Sequence, residues 1–450
     1  MTTIKLKKGL NIKISGDAEA KVAGKVISQE VGIVPDYFEG MTPKVAVKEG
    51  DEVKVGSPIL FDKNHPEVKV VSPVCGTIKQ VARGERRKLL YVLIEQNGKT
   101  EQAELPAMNL KAGKDAVHAA MLAAGFGAML RQRPYDVVAN PKVAPKAIFV
   151  SAFDSAPLAA DYNFVLKGEE ANVQAGLNVL ATIAKTYYSV SPATSAELRN
   201  MKGVEINEFI GAHPAGNVGV QINHLNPVNK EEVVWTINIM DVAMLGRYAN
   251  TGKLDFSRKV AVAGPKVKHP AYVETISGTV VRNLTEGNLN LDEHIRIING
   301  NVLTGLKTDD KSFLSPFVNV VSVIAEGDEA DELLGWAMPR FNKFSNSCLF
   351  FTKLQQMICP KKHFDFDARI LGGERAFIVS GEYDRVFPMD IMPEQLVKAM
   401  IARNLEKMEQ LGAYEVAPED FALCEFVCTS KIETQRIVRE ALNYMRKELE

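Results

Sequence analysis

The strongest constraint on the fold is a series of short, alternating strand patterns within the first hundred residues. "KVAV", "DEVKV" and "VKVV" alternate apolar and polar side chains, which is typical of half-buried β-strands. Gly-Asp at 50–51 and Gly-Ser-Pro at 56–58 supply turns, and Pro73 with Gly76 permits a sharp bend. This spacing predicts a small, closed all-β unit over residues 1–105.

The unit resembles the barrel-sandwich hybrid fold of biotinyl and lipoyl carrier domains. A carrier presents a lysine between two methionines at the tip of its next hairpin. Here that hairpin is "FDKNHPEVKVVSPVCG", in which the carrier position falls at His65 and Lys63 has no methionine neighbours. We therefore predict a barrel that carries no covalent group and serves docking or folding. A biotinylated or lipoylated Lys63 is the alternative.

Composition limits the classes of function. The 450 residues include 54 Lys and Arg against 55 Asp and Glu, without a basic block or interleaved aromatic stripe. Nucleic acid is therefore not an expected partner. The longest weakly polar stretch, at 116–130, is shorter than the about 20 apolar residues of a membrane span. Five cysteines and no signal sequence predict a cytoplasmic protein with reduced thiols.

Later patterns predict three further domains in an α+β, multidomain chain. A strand in "KAIFVSAFD", a helix in "EEANVQAGLNVLATIAK" and strands in "YYSVSP" and "VEINEFIG" favour a Rossmann-like α/β domain over 106–257. Gly252 suits the end of a further helix. Short strands up to "NVVSVIAEG" predict a β-grasp (SLBB-like) domain over 258–330. Helical periodicity in the remainder predicts a mainly helical domain over 331–450.

This domain order, together with several motifs, is similar to the A subunits of sodium-translocating NADH:quinone reductases. The motifs include "SPVCGTI", "RGERR", "RQRP", "GAHPAG", "AEGDEADELLGWAMP", "DRVFPMDIMP" and "LGAYEVAPEDFALCEFVC". The resemblance implies a peripheral protein on the cytoplasmic side of the inner membrane, attached through the B to F subunits and above all the membrane-embedded B subunit. The whole enzyme oxidises NADH, reduces quinone and exports sodium. This chain would bind quinone or act as a cofactor-free scaffold, and in isolation it is not expected to be catalytic.

Related subunits of the Rnf complex and of complex I hold FMN in a glycine-rich loop. At the matching place this chain has "AAGFGAMLRQRPYD", where Phe126, Arg131 and Arg133 fill the space that glycines leave open. The resemblance therefore implies no FMN site. The three side chains either line a pocket for another ligand, such as quinone, or belong to a helix end whose arginines anchor the next domain.

A second loop, "GAHPAGNVG", follows a predicted strand and should lie at the carboxyl edge of the sheet, where α/β sheets bind ligands. Gly211, His213 and Gly216 are its candidate site residues. His213 could donate to a quinone carbonyl, although a histidine before proline also suits a rigid structural turn. We predict that both loops face one cleft, in which Phe126 stacks on the quinone and His213 or Arg131 donates to it.

The cysteines do not have the dense spacing of an iron-sulfur motif. Cys424 and Cys428 share one helix face, which suits core packing equally well, and Cys348 and Cys359 are distant. No iron-sulfur cluster or other metal site is expected in this chain. Asp154, in "SAFDSAP", is interpreted as a turn cap, with a nucleotide contact as the alternative. A helix is predicted to begin within "AEGDEADELLGW".

Overall fold

The computed structural model describes residues 1–309, 311–328, 343–346 and 352–450. Strands β1 (Thr2–Lys5) and β2 (Glu19–Lys25) begin the chain and pair with strands from much later in it. Each lies at the edge of its sheet. The N-terminal segment therefore ties together sheets built mainly from later residues. Cys348 and most of the helix predicted in "AEGDEADELLGW" lie outside the described residues.

The next strands form two small antiparallel sheets that enclose a core of their own. One sheet has the order β3-β9-β8-β5 and the other β4-β6-β7. Their bounds are β3 (Glu30–Ile33), β4 (Pro43–Val45), β5 (Glu52–Val53), β6 (Pro58–Asp62), β7 (Lys69–Val71), β8 (Gly76–Arg83) and β9 (Leu89–Gln96). Val31, Ile59, Leu60 and Val92 are fully buried between the sheets. The alternating patterns thus fold as predicted, and Lys63 is exposed at the β6–β7 turn.

The central sheet has seven strands in the order β1-β14-β13-β12-β15-β10-β11. The pairs β1–β14, β14–β13, β13–β12 and β12–β15 are parallel. Strand β10 is antiparallel to both β15 and β11, with which it forms a hairpin. Its later strands are β10 (Arg131–Arg133), β11 (Val137–Val138), β12 (Ala147–Ser151), β13 (Thr186–Val190), β14 (Glu205–Ile210) and β15 (Val234–Thr236). The strands predicted in "KAIFVSAFD", "YYSVSP" and "VEINEFIG" are confirmed as β12, β13 and β14.

Helices cover this sheet, and two of them pack unusually closely. The helices are α1 (Lys114–Ala123), α2 (Tyr162–Val165), α3 (Glu170–Ile183), α4 (Ala196–Arg199), α5 (Val218–Leu225) and α6 (Ile239–Thr251). A Cβ on Gly176 would lie 2.1 Å from the Val242 carbonyl oxygen, so only glycine lets α3 approach α6 here. Gly252 ends α6 in the left-handed conformation, as its position predicted.

A six-stranded sheet follows, in the order β19-β18-β20-β16-β17-β2. β16 forms an antiparallel hairpin with β17 and lies parallel to β20, and α7 connects β17 to β18. The bounds are β16 (Ser257–Ala263), β17 (Ala271–Ile276), α7 (Val281–Thr285), β18 (Ile295–Asn299), β19 (Leu306–Lys307) and β20 (Val320–Ala325).

The described part of the C-terminal region contains short helices that pack against the central domain. They are α8 (Thr352–Ile358), α9 (Tyr383–Val386), α10 (Pro393–Ile401), α11 (Leu405–Gln410), α12 (Ala422–Val427) and α13 (Thr434–Leu449). The pattern in "MPEQLVKAMIARNLEKMEQLGAY" forms two helices, because Arg403 adopts a left-handed backbone (φ 51°) between them. Val220, Phe421 and Leu442 belong to one continuous apolar core. The C-terminal helices therefore share a core with the central sheet.

Candidate functional site

A cluster of buried charges lies where the β10–β11 hairpin meets the C-terminal region. Asp136 accepts from Arg131 at 3.0 Å, from Arg133 at 2.5 Å and from Arg439 of α13 at 2.7 Å. Burial alone would raise the pKa of Asp136, but the three guanidiniums hold it well below its usual range. Asp136 is therefore charged at neutral pH and joins two arginines of "RQRP" to the last helix.

Arg133 also faces a second pair of carboxylates. Its side chain is 1% exposed, and its Nη2 lies 3.3 Å from Glu419 Oε1 and 4.0 Å from Asp420 Oδ2. Burial raises the pKa of Asp420 to about 7, and attraction to Arg133 offsets only part of this shift. Asp420 Oδ1 has no hydrogen-bond partner within the described residues. This carboxyl group can therefore gain or lose a proton near neutral pH.

The "GAHPAG" loop forms its own polar contacts after β14. His213 is buried, its Nδ1 lies 3.0 Å from Ser155 Oγ, and its backbone N–H donates to Asn11. Ser155 Oγ also accepts from the Gly216 N–H at 2.8 Å. Burial lowers the pKa of His213 to about 4, so the imidazole is neutral at pH 7. If Ser155 donates to Nδ1, the ring proton lies on Nε2 and can be donated.

The glycines of this loop are required by close contacts. A Cβ on Gly216 would lie 2.7 Å from the Ser155 backbone nitrogen, and one on Gly211 would lie 2.8 Å from Leu6 Cβ. Leu6 follows β1, and its N–H donates to the carbonyl of Ile210. The two glycines therefore let the loop pack against the turn after β12 and against the N-terminal segment.

Phe126 lies in a 3₁₀ turn and is 1% exposed. Its ring centroid is 6.0 Å from that of Tyr248 on α6. A Cβ on the preceding Gly125 would lie 2.8 Å from the Val71 side chain of β7. Phe126 therefore packs where the central domain meets the N-terminal barrel, and stacking on a ligand would require it to leave the core.

The structure brings Arg133 and the "GAHPAGNVG" loop together through residues that sequence analysis did not select. Asn217 Nδ2 donates to the Glu419 carbonyl at 3.4 Å, and a Cβ on Gly219 would lie 2.4 Å from Asp420 Oδ1. Within the described residues, no hydrogen bond or ring contact joins Phe126 to His213. The only sequence signal for Glu419 and Asp420 was the motif "LGAYEVAPEDFALCEFVC" that contains them.

The switch in strand order, between β12 and β15, is where α/β sheets place a ligand. Asn238, two residues after the end of β15, caps α6 there, and Asn319 Nδ2 of the following domain lies 3.5 Å from its Oδ1. Asn319 Nδ2 also donates to Tyr162 at 2.9 Å. Asp154 accepts from the Ala156 N–H as a turn cap, as predicted. At this switch point, the position where a ligand would lie, side chains of the protein therefore contact one another.

The cysteines are dispersed. Cys424 is buried on α12, and Cys428 is buried directly after the last residue of that helix. Cys75 is buried in the barrel, and Cys359 is exposed. Burial raises the pKa of the Cys424 thiol well above its ordinary value. Within the described ranges, no group of three His, Cys, Asp or Glu side chains is placed to hold a metal ion.

Three family models match successive parts of the chain. Residues 4–97 match the NqrA N-terminal barrel-sandwich hybrid domain, 112–254 the NqrA second alpha/beta domain, and 259–310 the NQRA C-terminal domain, an SLBB model. Relatives named as the A subunit of the Na(+)-translocating NADH-quinone reductase match almost end to end. The Rhodopirellula baltica protein is 36% identical (99% of this chain, 98% of the relative), and that of Serratia proteamaculans is 38% identical (99% and 100%).

The chain belongs to the NqrA family, the A subunits of Na⁺-translocating NADH-quinone reductases. The family predicted from the motifs is therefore confirmed, and so is the barrel-sandwich hybrid at the N-terminus. A Neisseria meningitidis serogroup A member is 36% identical over 99% of this chain and its own full length. Within the described residues, no helix of this family member is long and apolar enough to cross a membrane.

Proposed function

We propose that this chain is a peripheral, non-catalytic brace of a sodium-translocating NADH:quinone reductase. It would lie on the cytoplasmic side of the inner membrane and contact the B to F subunits, above all the membrane-embedded B subunit. The names of its relatives support this placement, because the match covers nearly all of each chain. The complex as a whole would couple NADH oxidation and quinone reduction to sodium export.

One observation carries the bracing role: the residues predicted to bind quinone are engaged by the protein itself. Arg133 and Phe126 are each 1% exposed and His213 is 3% exposed. Arg133 joins the central sheet to the C-terminal region, and His213 joins two loops and the N-terminal segment. A ligand would have to displace these contacts. The arrangement supports rigidity of the chain more than binding of a redox partner.

Quinone binding is the second candidate, and His213 is the observation that favours it. Its neutral imidazole can offer an Nε2 proton while Ser155 occupies Nδ1. Such a donor suits a quinone carbonyl, although one hydrogen bond contributes only about 0.5 to 1.5 kcal/mol net. Phe126 would not share this site without rearrangement, because it packs against Tyr248.

The finer fold descriptions also belong to this proposal. A central sheet with parallel strands β14-β13-β12-β15 supports the Rossmann-like description, and the order β17-β16-β20-β18-β19 supports the β-grasp description. The boundaries near residues 105, 257 and 330 stay predictions.

Kinetics of the assembled enzyme test the two roles. The single variants Phe126→Leu and His213→Gln should each leave the quinone KM within about twofold of wild type, since bracing does not depend on direct quinone contacts. Phe164→Leu, in an aromatic contact with Tyr272 elsewhere in the fold, is the matched control. A tenfold rise in quinone KM for His213→Gln alone, with normal NADH oxidation by an artificial acceptor and full subunit stoichiometry, would establish quinone binding instead.

The absence of a bound redox group is part of the proposal and has its own test. The purified chain should show no visible flavin or iron-sulfur absorbance after gel filtration. Its intact mass should equal that of the 49.4 kDa polypeptide. Stoichiometric flavin or iron, or added mass on Lys63, would contradict a cofactor-free brace.

A further inference from the structure

The turn between β8 and β9 has a backbone that its residues do not favour. The Lys88 N–H donates to the Glu85 carbonyl at 3.0 Å, and Arg86 and Arg87 between them have φ angles of 50° and 61°. Two successive left-handed residues in a tight hairpin correspond to a type I′ turn, for which Asn-Gly is the preferred pair. Arginine carries a Cβ that makes this conformation unfavourable.

Contacts within the chain do not explain this choice. Both arginines are exposed, and neither guanidinium has a hydrogen bond or ion pair within the part of the chain that the structure describes. Arg83 donates to the Arg87 carbonyl at 3.2 Å, so it supports the turn. Strained residues without compensating internal contacts are expected where side chains serve an external partner.

The charge around the turn indicates what that partner carries. Arg83, Arg86, Arg87 and Lys88 place four cations within six residues, in a chain whose net charge is only -1. Lys88 is already paired with Asp36 at 2.6 Å, so the two central arginines are the available cations. Guanidinium groups bind carboxylates in a planar, two-pronged arrangement, which is specific as well as attractive.

We propose that Arg86 and Arg87 form a docking point for an acidic segment of another protein in the complex. The proposal rests on the proposed function insofar as it requires a multisubunit complex. Leu90, 41% exposed on the following strand, offers an apolar contact beside the turn. A protein carboxylate fits better than a lipid surface, because Lys88 is already paired with Asp36 and two available guanidiniums are fewer than the cluster of about four or more cations that anionic lipid surfaces attract.

A pair of double variants separates docking from folding. Arg86→Asn with Arg87→Gly supplies the preferred turn residues and removes both charges, whereas Arg86→Lys with Arg87→Lys keeps the charges. Each is tested as full-length chain in the complex, affinity-purified through a different protein of the complex and washed with increasing NaCl. We expect the Asn-Gly variant to bind about tenfold more weakly and to leave the complex at lower salt. The lysine variant should bind nearly as wild type.

The lysine variant also allows the partner to be identified. A zero-length carbodiimide couples amines to carboxylates, so the substituted lysines should cross-link to an Asp or Glu of another protein in the complex. Mass spectrometry should locate that residue in an acidic stretch. Cross-links confined to this chain would overturn the proposal.

Other outcomes also decide the question. Equal salt resistance of the Asn-Gly variant and wild type would overturn the docking point while leaving the bracing role intact. Loss of binding to phosphatidylglycerol vesicles, without change in retention by the complex, would assign the turn to the membrane surface and overturn a protein partner. Failure of the wild-type chain to join the complex at all would instead contradict the proposed function.

Discussion

Two arginine pairs in this chain stand on similar turns but in opposite surroundings. Arg131 and Arg133 precede the β10–β11 turn, where Tyr135 and Asp136 both have positive φ. There, Asp136 is fixed by three guanidiniums, and these contacts compensate for the unfavourable backbone. Arg86 and Arg87 occupy the left-handed positions of the β8–β9 turn themselves and have no such contacts in the described residues.

The difference teaches that paired arginines are not a functional signal until their partners are known. "RQRP" was predicted either to line a ligand pocket or to anchor the next domain, and its arginines join the central sheet to the C-terminal region. "RGERR" served only to place the chain in its family, yet its arginines are the exposed ones. Burial and pairing, rather than residue type, separate an internal connection from a docking surface.

The largest effect should come from the buried pair. Arg133→Met leaves Asp136 and Asp420 buried with one cation fewer, and breaking a buried ion pair on one side costs about 3 to 5 kcal/mol. Urea unfolding of the purified chain measures this loss. Arg86→Met is the control and should change the free energy of unfolding by less than about 0.5 kcal/mol. Equal losses of unfolding free energy for Arg133→Met and Arg86→Met would show that the buried and the exposed arginine do not differ in their contribution to stability.

Asp420 provides a pH test of the same cluster. Its pKa of about 7 in the folded chain lies above the ordinary value of 3.8. The folded state therefore binds more protons between these values, so the contribution of Asp420 to stability is present at low pH and is lost as pH rises to about 7. In wild type, this dependence of the free energy of unfolding on pH has a slope of at most about 1.4 kcal/mol per pH unit. Asp420→Asn should remove it.

The readout for Asp420→Asn is the free energy of unfolding, measured from about pH 4 to about pH 8 as a difference from wild type. The free energy of unfolding of the variant, relative to that of wild type, should increase as pH rises from about 4 to about 7. Glu406→Gln, on an exposed face of α11, is the control. A difference that does not vary with pH would mean that Asp420 remains ionised in the folded chain.

The smallest effect should come from the exposed turn, and with the opposite sign. Arg86→Asn with Arg87→Gly relieves two unfavourable left-handed residues and should raise the free energy of unfolding by about 1 kcal/mol. The midpoint of thermal unfolding of the isolated chain would rise accordingly. A lower midpoint would show that the arginines stabilise the fold, and the comparison would then fail.

The sequence predicted what depends on local pattern. Alternation in "KVAV" and "VKVV", apolar spacing in α3 and the Gly252 cap of α6 all depend on neighbouring residues, and each was confirmed. The position of β1 and β2 in later sheets was not predicted, because strand pairing over such separations leaves no periodic signal.

The candidate site was harder to predict for the same reason. Arg133 meets Glu419 and Asp420 across almost the full length of the central and C-terminal regions, and no spacing rule links them. His213 was placed correctly after a strand, but its contact with Ser155 required the parallel order of β12, β13 and β14. Phe126 looked available for stacking because its sequence neighbours do not show the barrel packed against the same turn.

Hydrogen-deuterium exchange of the isolated chain and of the assembled complex tests the central claim most directly. Peptides that cover residues 131–138 and 417–421 should exchange slowly in both states, because their contacts are internal. A peptide that covers residues 84–88 should exchange rapidly in the isolated chain and become protected on assembly. Protection gained at 131–138 but not at 84–88 would contradict the account, since the buried arginines would then be the ones that serve a partner.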